Sequence, residues 1–188
     1  MKFESYIDWL YEREMITKPD FGCIMLYCDI PNWKSKHLAQ INSEDIYNVP
    51  DKGMSRGLEY TPHCTLVYGL HLNTVKPTEI KKIMETFFPL KVSIKKLTFF
   101  VTPDCDVVKY DVSITKELKA WREKLLKFPN TQTYPDYHPH ITLSYVKTGS
   151  GIKYIKEFDE PFKVIFNKVV YSYTGDEKEN IVVKLDEV

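Results

Sequence analysis

Hydrophobic and polar positions alternate along several stretches of the chain, which predicts a protein built largely from β-strands. Residues 21–30 form a nearly continuous apolar run, which favours a strand covered on both faces. Further strands are predicted from about Val108 and at 161–173 and 180–185. The alternation changes phase at the Lys95–Lys96 pair, which indicates a bulge within another strand.

Two stretches show the spacing of an amphipathic helix. Pro77 suits the first turn of one helix, and Pro89 ends it. Thr115 suits the N-cap of the second, whose apolar face is formed by Leu118, Trp121, Leu125 and Leu126. Residues 33–47 show a weaker helical pattern, and residues 48–61 form a loop with one proline and two glycines. The mixture of elements predicts an α+β fold.

Residues 1–16 also fit an amphipathic helix, and residues 17–20 fit a linker. The polar face of this helix is acidic rather than basic, which favours docking on a domain over binding at a membrane surface. The sequence therefore predicts an N-terminal helix with its linker at 1–20 and one domain at 21–188.

One heptapeptide occurs twice in the predicted domain. Residues 62–68 read Pro-His-Cys-Thr-Leu-Val-Tyr and residues 139–145 read Pro-His-Ile-Thr-Leu-Ser-Tyr, identical at five of the seven positions. Both copies have the composition of a short strand. Strand alternation places His63 with Thr65 on one face, and likewise His140 with Thr142. The alternate positions point the other way and are expected to face the core: Cys64, Leu66 and Tyr68 in the first copy, and Ile141, Leu143 and Tyr145 in the second. The repeat indicates two halves of one domain related by pseudo-twofold symmetry.

Two His/Thr pairs are suited to the cleavage of a phosphodiester. Imidazole titrates near neutral pH, so one histidine can accept a proton from the attacking hydroxyl while the other donates one to the leaving oxygen. A nearby threonine hydroxyl can donate a hydrogen bond to a non-bridging phosphoryl oxygen. This chemistry requires no metal or other cofactor. The sequence does not decide which histidine is the base.

Composition narrows the class of ligand. Among the 188 residues, 26 Lys and Arg balance 26 Asp and Glu, so the formal net charge is zero. A protein that binds a long nucleic acid through charge normally has a basic excess, so a small anionic ligand is favoured. The four cysteines lack metal-site spacing, and neither a signal peptide nor a membrane-spanning run is evident. A soluble cytoplasmic protein with reduced thiols is expected.

Other uses of these residues are disfavoured. A metal site formed by Asp136, His138 and His140 is disfavoured, because Pro139 separates the histidines and Thr61 stands in the equivalent position of the first copy. A Cys64 nucleophile is disfavoured because it faces away from His63. His37 and His71 have no counterpart in the repeat and are predicted to be surface residues.

The paired His-x-Thr-Leu motifs resemble those of the two-histidine phosphoesterase superfamily, which includes the bacterial 2′–5′ RNA ligase-like (LigT-like) proteins and the 2′,3′-cyclic nucleotide phosphodiesterases. The resemblance implies a bilobal α+β fold with two antiparallel sheets lining a central cleft and helices outside. It also implies that His63 and His140 are catalytic and that Thr65 and Thr142 bind phosphate.

Three segments (residues 26–33, 41–47 and 57–63) are further similar to the phage anti-CBASS nucleases, which degrade the cyclic di- and trinucleotides that signal infection in bacterial immunity. This resemblance implies metal-independent hydrolysis of 3′–5′ bonds, in the host cytoplasm if the protein is phage-encoded. Bases stack on aromatic side chains, so the substrate-binding candidates are Trp33, Tyr27 and Tyr173, with Lys178 and Glu177 for a base edge.

Two alternatives remain open. A 2′,3′-cyclic phosphodiesterase or 2′–5′ RNA ligase-like enzyme that acts on RNA ends would use the same four residues. A nucleotide-binding protein that sequesters its ligand is disfavoured, because binding alone needs no acid–base pair. Base preference, ring size, oligomeric state and the role of the N-terminal helix remain open.

Overall fold

The described part of the chain forms nine strands and two α-helices. The computed structural model describes residues 21–47, 50–51, 54–55, 57–72, 74–132, 136–173 and 180–186, so the helix and linker predicted at 1–20 lie outside the described residues. The strands are β1 (Phe21–Cys28), β2 (Pro50–Asp51), β3 (Met54–Ser55), β4 (His63–His71), β5 (Leu90–Val101), β6 (Asp106–Val112), β7 (His140–Val146), β8 (Lys156–Tyr173) and β9 (Ile181–Lys184). The helices are α1 (Pro77–Met84) and α2 (Lys116–Leu125).

Seven of these strands form one antiparallel sheet in the order β4-β1-β8-β5-β6-β7, with β9 also paired to β8. The long strand β8 joins two lobes, because residues 166–173 pair with β1 and residues 156–166 pair with β5. The two motif strands, β4 and β7, stand at opposite ends of this order and nevertheless contact each other. The α+β fold with antiparallel strands around a cleft is confirmed, with the addition that the two expected sheets are continuous through β8.

The two helices pack on one part of the sheet, α1 against β8 and β9 and α2 against β4. Phe87, just after α1, stacks on Trp121 of α2 with ring centroids 4.4 Å apart. The predicted cap of α2 is confirmed, since the Thr115 hydroxyl accepts a hydrogen bond from Leu118 N at 3.2 Å. No helix in the described ranges is long and apolar enough to span a bilayer.

The phase change at the Lys95–Lys96 pair is confirmed as a bulge. Strand β5 is continuous, but its pairing with both β6 and β8 shifts between Ile94 and Lys96. The shift moves Lys96 and the alternate residues after it onto the cleft side of β5.

One prediction about the first 30 described residues was wrong, and the weak helical pattern at 33–47 is realised only as short turns. Strand β1 is not covered on both faces: Ile24 and Leu26 are buried, whereas Met25 and Tyr27 are half-buried, because their face of the strand lines the cleft. Residues 33–47 form no regular α-helix. They form a π-helical turn at Trp33–His37 and single 3-10 turns at Leu38–Gln40 and Ser43–Asp45.

The two histidines predicted at the surface are both engaged in packing. His37 is buried, and its Nδ1 lies 2.8 Å from the Tyr110 hydroxyl. His71 is half-buried, and its Nε2 lies 2.8 Å from Thr131 Oγ1. Both contacts join segments far apart in the chain, which sequence periodicity does not reveal.

Gly69 and Gly149 provide a matched test of how tightly β4 is packed. Both have a positive φ, but an added Cβ would lie 2.1 Å from the Thr131 carbonyl oxygen at Gly69 and meets nothing within 4 Å at Gly149. We expect Gly149→Ala to cost about 1–2 kcal/mol for backbone conformation alone. Gly69→Ala should cost about 1–3 kcal/mol more, because the backbone contact must open. Urea unfolding measures both, and equal losses would contradict the close approach at Gly69.

Candidate active site

Each motif strand is held by the segment that precedes the other motif. Before the first motif, Glu59 N donates to Leu143 O at 2.8 Å, and Gly57 O accepts from Tyr145 N at 2.9 Å. These bonds occupy the edge of β7 that β6 leaves open. The approach to the first histidine is therefore fixed by the second motif strand.

The reciprocal arrangement holds β4. Thr131 N donates to Gly69 O at 2.9 Å, and His71 N donates to Pro129 O at 3.0 Å. Residues 129–131 belong to the segment that leads into the second motif. The sequence repeat is thus matched by a repeat of backbone hydrogen bonds, and each half of the molecule positions the other.

Several contacts join the two motifs directly. The Tyr137 hydroxyl donates to Thr65 O at 3.4 Å. The Cys64 thiol is hydrogen-bonded to the backbone of His140, and the His63 charge acts on the pKa of His140. The two motif strands therefore lie against each other.

The two histidines are held in the same way. His63 Nδ1 lies 2.9 Å from Thr61 O, and His140 Nδ1 lies 2.8 Å from His138 O. A carbonyl oxygen only accepts, so each Nδ1 carries the proton. In the neutral ring, Nε2 is then left with the lone pair and can accept a proton from a substrate.

The residues directly opposite the two motifs differ between the lobes. On β1, Tyr27 pairs with His63 and Met25 pairs with Thr65. On β6, Asp111 pairs with His140 and Lys109 pairs with Thr142. Directly paired residues on antiparallel strands share a face of the sheet, so both sets line the cleft. At these directly paired positions the first lobe has neutral side chains, and the second has a cation and a carboxylate.

Burial lowers the pKa of His140 below its ordinary value of 6.5. The carbonyl of His138 raises it, Lys109 lowers it, Asp111 raises it and His63 lowers it, in decreasing order of effect. The lowered pKa means that His140 is mostly neutral at pH 7.

An aromatic ring contacts each motif histidine. The Tyr27 and His63 ring centroids are 5.4 Å apart, and the Lys168 ammonium lies 4.6 Å from the Tyr27 centroid. On the other side, Phe100 and His140 have centroids 5.4 Å apart in an edge arrangement. Tyr27 was predicted from the sequence as a substrate-binding candidate, whereas Phe100 was not, because only the bulge in β5 brings Phe100 to this face.

The prediction that Tyr68 and Tyr145 face the core was wrong. Both strands carry a bulge immediately after the motif threonine: Thr65 pairs with Met25 but Tyr68 with Cys23, and Thr142 pairs with Lys109 but Tyr145 with Val107. The extra residue reverses the alternation. Tyr68, which is 48% exposed, and the half-buried Tyr145 therefore lie on the same face as the histidines and threonines.

The remaining substrate-binding candidates lie in different surroundings. The Trp33 ring is 7% exposed, and its Nε1 donates to Glu59 O at 2.8 Å. Its exposed edge lines a pocket of about 380 Å³ together with Tyr60 and Pro62, the residue before His63. The backbone of Tyr173 pairs with Gly22, five positions along β1 from Tyr27, which does not support a role beside the motif histidines. Glu177 and Lys178 lie outside the described residues.

Two thiols lie next to the first motif threonine. Burial raises the pKa of Cys64 to about 12 and that of Cys23 to about 11, and Cys23 is hydrogen-bonded to Thr65. Both thiols are protonated at neutral pH, and a protonated thiol is a poor nucleophile. Among the described residues, no three His, Cys, Asp or Glu side chains are grouped as metal ligands.

The fold and the paired motifs define a LigT-like architecture. Escherichia coli LigT, in a crystal structure with 3′-AMP, is 14% identical in sequence and superposes with a TM-score of 0.50 over 89% of this chain and 96% of its own. A second solved structure, a phosphoesterase, is 13% identical, with a TM-score of 0.51 over 89% of this chain and 96% of its own. No protein-family model and no curated protein matches the sequence. At this level of identity the likeness establishes the fold.

The tautomer of the motif histidines can be measured. At a pH where His140 is neutral, we expect long-range ¹⁵N–¹H correlation spectra to show a protonated Nδ1 and an unprotonated Nε2, because the His138 carbonyl accepts from Nδ1. His37, whose Nδ1 faces the Tyr110 hydroxyl instead of a carbonyl, serves as a comparison within the same spectrum. A proton on Nε2 of neutral His140 would contradict the arrangement.

Proposed function

We propose that this protein is a metal-independent phosphodiesterase in which His140 and His63 act as general base and general acid on one phosphodiester of a small cyclic di- or trinucleotide. The observation that carries the proposal is the contact between two equivalent His/Thr strands. The histidine of each strand has its Nδ1 at a backbone carbonyl, which leaves its Nε2 for proton transfer. Simple nucleotide binding requires no such pair of imidazoles.

Burial lowers the pKa of His140 below its ordinary value, which favours the neutral form that a base requires and supports its assignment as the base. Nε2 of His140 takes the proton of a ribose 2′-hydroxyl, and O2′ forms a bond to the adjacent phosphorus. The bond from phosphorus to O5′ breaks as the imidazolium of His63 donates its proton to that oxygen. The products are a 2′,3′-cyclic phosphate and a free 5′-hydroxyl.

The same pair can then hydrolyse the cyclic phosphate. His63, now neutral, takes a proton from water, and the oxygen of that water bonds to phosphorus. The bond to O2′ breaks as His140 returns its proton. In both steps Thr65 and Thr142 are suited to donate hydrogen bonds to the non-bridging oxygens, where negative charge accumulates.

The choice of substrate is supported by the symmetry of the site. Tyr68 and Tyr145 occupy equivalent positions beyond the two threonines, on the face that the motifs share. A phosphodiester with a nucleoside on either side has the matching symmetry, since each base can contact one aromatic ring. A cyclic oligonucleotide offers such a linkage at every phosphate, and the zero net charge agrees with a small ligand. The proposed place of action is the cytoplasm, that of the host if the protein is phage-encoded.

A second candidate is an enzyme acting on RNA ends, such as a 2′,3′-cyclic phosphodiesterase or a 2′–5′ ligase. E. coli LigT, which shares the fold, was crystallised with 3′-AMP, and this motivates a mononucleotide-sized ligand as the alternative. The two candidates share the four motif residues and differ in whether a nucleoside stands on both sides of the scissile phosphate.

Replacement of either motif histidine should abolish cleavage. We expect His63→Ala and His140→Ala each to lower kcat by about 10²–10⁴-fold, the usual contribution of a general acid or base. Thr65→Val and Thr142→Val should each lower it by about 10²–10³-fold through loss of one donor. The assay follows a cyclic dinucleotide by chromatography in excess EDTA. His138→Ala is the control, because only its backbone carbonyl is used; retained activity in either motif-histidine variant would refute the mechanism.

Substrate class can be decided by comparing linkages. The proposal predicts that Tyr68→Ala and Tyr145→Ala both weaken binding of a cyclic dinucleotide by roughly 5- to 150-fold, the equivalent of one lost base–aromatic stack each. Phe88→Ala removes an exposed aromatic ring that packs on Trp121 of α2 and should have no effect. Faster turnover of a 2′,3′-cyclic phosphate RNA end than of any cyclic dinucleotide would favour the second candidate instead.

A further inference from the structure

The two halves of the site are distinguished by one buried cation. We infer that Lys109 is a positioning residue of the proposed reaction: its ammonium, fixed beside Thr142 by Thr98 and Asp111, makes His140 the proton acceptor and leaves His63 to donate. This inference rests on the proposed function and names the residue that makes the two His/Thr pairs inequivalent. At the equivalent position of the other lobe, opposite Thr65, stands the uncharged Met25.

Lys109 is held firmly. It is only 8% exposed, although it lies on the face that lines the cleft. Its Nζ donates to Thr98 Oγ1 at 2.8 Å and to Asp111 Oδ1, and Thr98 Oγ1 donates in turn to the same carboxylate at 3.0 Å. A buried ammonium is costly unless it is paired and hydrogen-bonded. These bonds satisfy that requirement and confine the charge to one place.

Charged and titratable groups reach His140 from each element around it. From β6 come Lys109 and Asp111, and from β4 comes His63. From β5, Lys96 approaches the other oxygen of Asp111 at 3.6 Å. The segment before β7 contributes the His138 carbonyl. Lys109 and His63 favour the neutral ring, whereas Asp111 and the carbonyl favour the charged ring.

The direction of the Lys109 effect agrees with its proposed role. A base must be neutral before it can accept a proton, and a fixed positive charge nearby disfavours the imidazolium of His140. Asp111 acts in the opposite sense on the same ring, so the two members of one ion pair have opposite and separable effects. If Lys109 served only to pack the protein, its replacement and that of Asp111 would not shift the pKa of His140 in opposite directions.

The test is a titration of His140 by NMR, run beside a pH–rate profile. We expect Lys109→Met to raise the titration midpoint of His140 and Asp111→Asn to lower it. The acidic limb of kcat/KM should move with the midpoint in each variant. Lys109→Arg, which keeps the charge, should remain near the wild type. Lys81→Met, an exposed lysine of α1 paired with Glu85, is the matched control and should change neither measurement.

The outcomes separate the two claims. A midpoint that moves upward in Lys109→Met, together with the acidic limb, supports the inference. An unchanged midpoint in Lys109→Met overturns it, whatever the activity; if that variant does not fold, an unchanged midpoint in Asp111→Asn overturns it equally. A wild-type protein that cleaves no phosphodiester refutes the proposed function. That result comes from the cleavage assay and is independent of the NMR titration.

Discussion

The site depends on the reciprocal pairing of each motif strand with the segment that leads into the other motif. The bonds from Glu59 to Leu143 and from Thr131 to Gly69 occupy strand edges that would otherwise be open. Because these edges are shared, each lobe helps to hold the motif strand of the other in place. The convergence of two histidines from distant parts of the chain follows from this backbone constraint more than from any side-chain contact.

The two motif histidines are held in equivalent ways, but the residues paired with them differ. Both histidines use Nδ1 on a carbonyl two residues earlier, so both present the same nitrogen to a ligand. Their strand partners differ: Tyr27 stands opposite one and Asp111 opposite the other. A duplicated motif supplies two equivalent groups, and acid–base catalysis needs two that differ. In the proposed reaction, the charged pair on β6 supplies that difference.

The sequence predicted much of this arrangement, because the relevant signals are local. Alternation indicated the strands, including the phase change at Lys96, and the repeat indicated the His/Thr faces. The errors came from long-range geometry. A bulge in each motif strand turned Tyr68 and Tyr145 into the cleft, and no residue type in either heptapeptide marks a bulge. Lys109 alternates with apolar residues of β6, so the sequence pattern alone places it on the cleft face. Its burial and its hydrogen-bond partners could not be predicted, because they depend on how β5 and β7 pack against β6.

The central claim is that two imidazoles and two hydroxyls act on a single phosphorus atom. The most direct measurement is a crystal structure of the protein with a non-hydrolysable phosphorothioate analogue of a cyclic dinucleotide. The account predicts one phosphorus between His63 and His140, with both Nε2 atoms within about 3.5 Å of its oxygens, the reach of a hydrogen bond. A phosphorus bound to one motif only, or bound elsewhere while the cleft stays open, would contradict it.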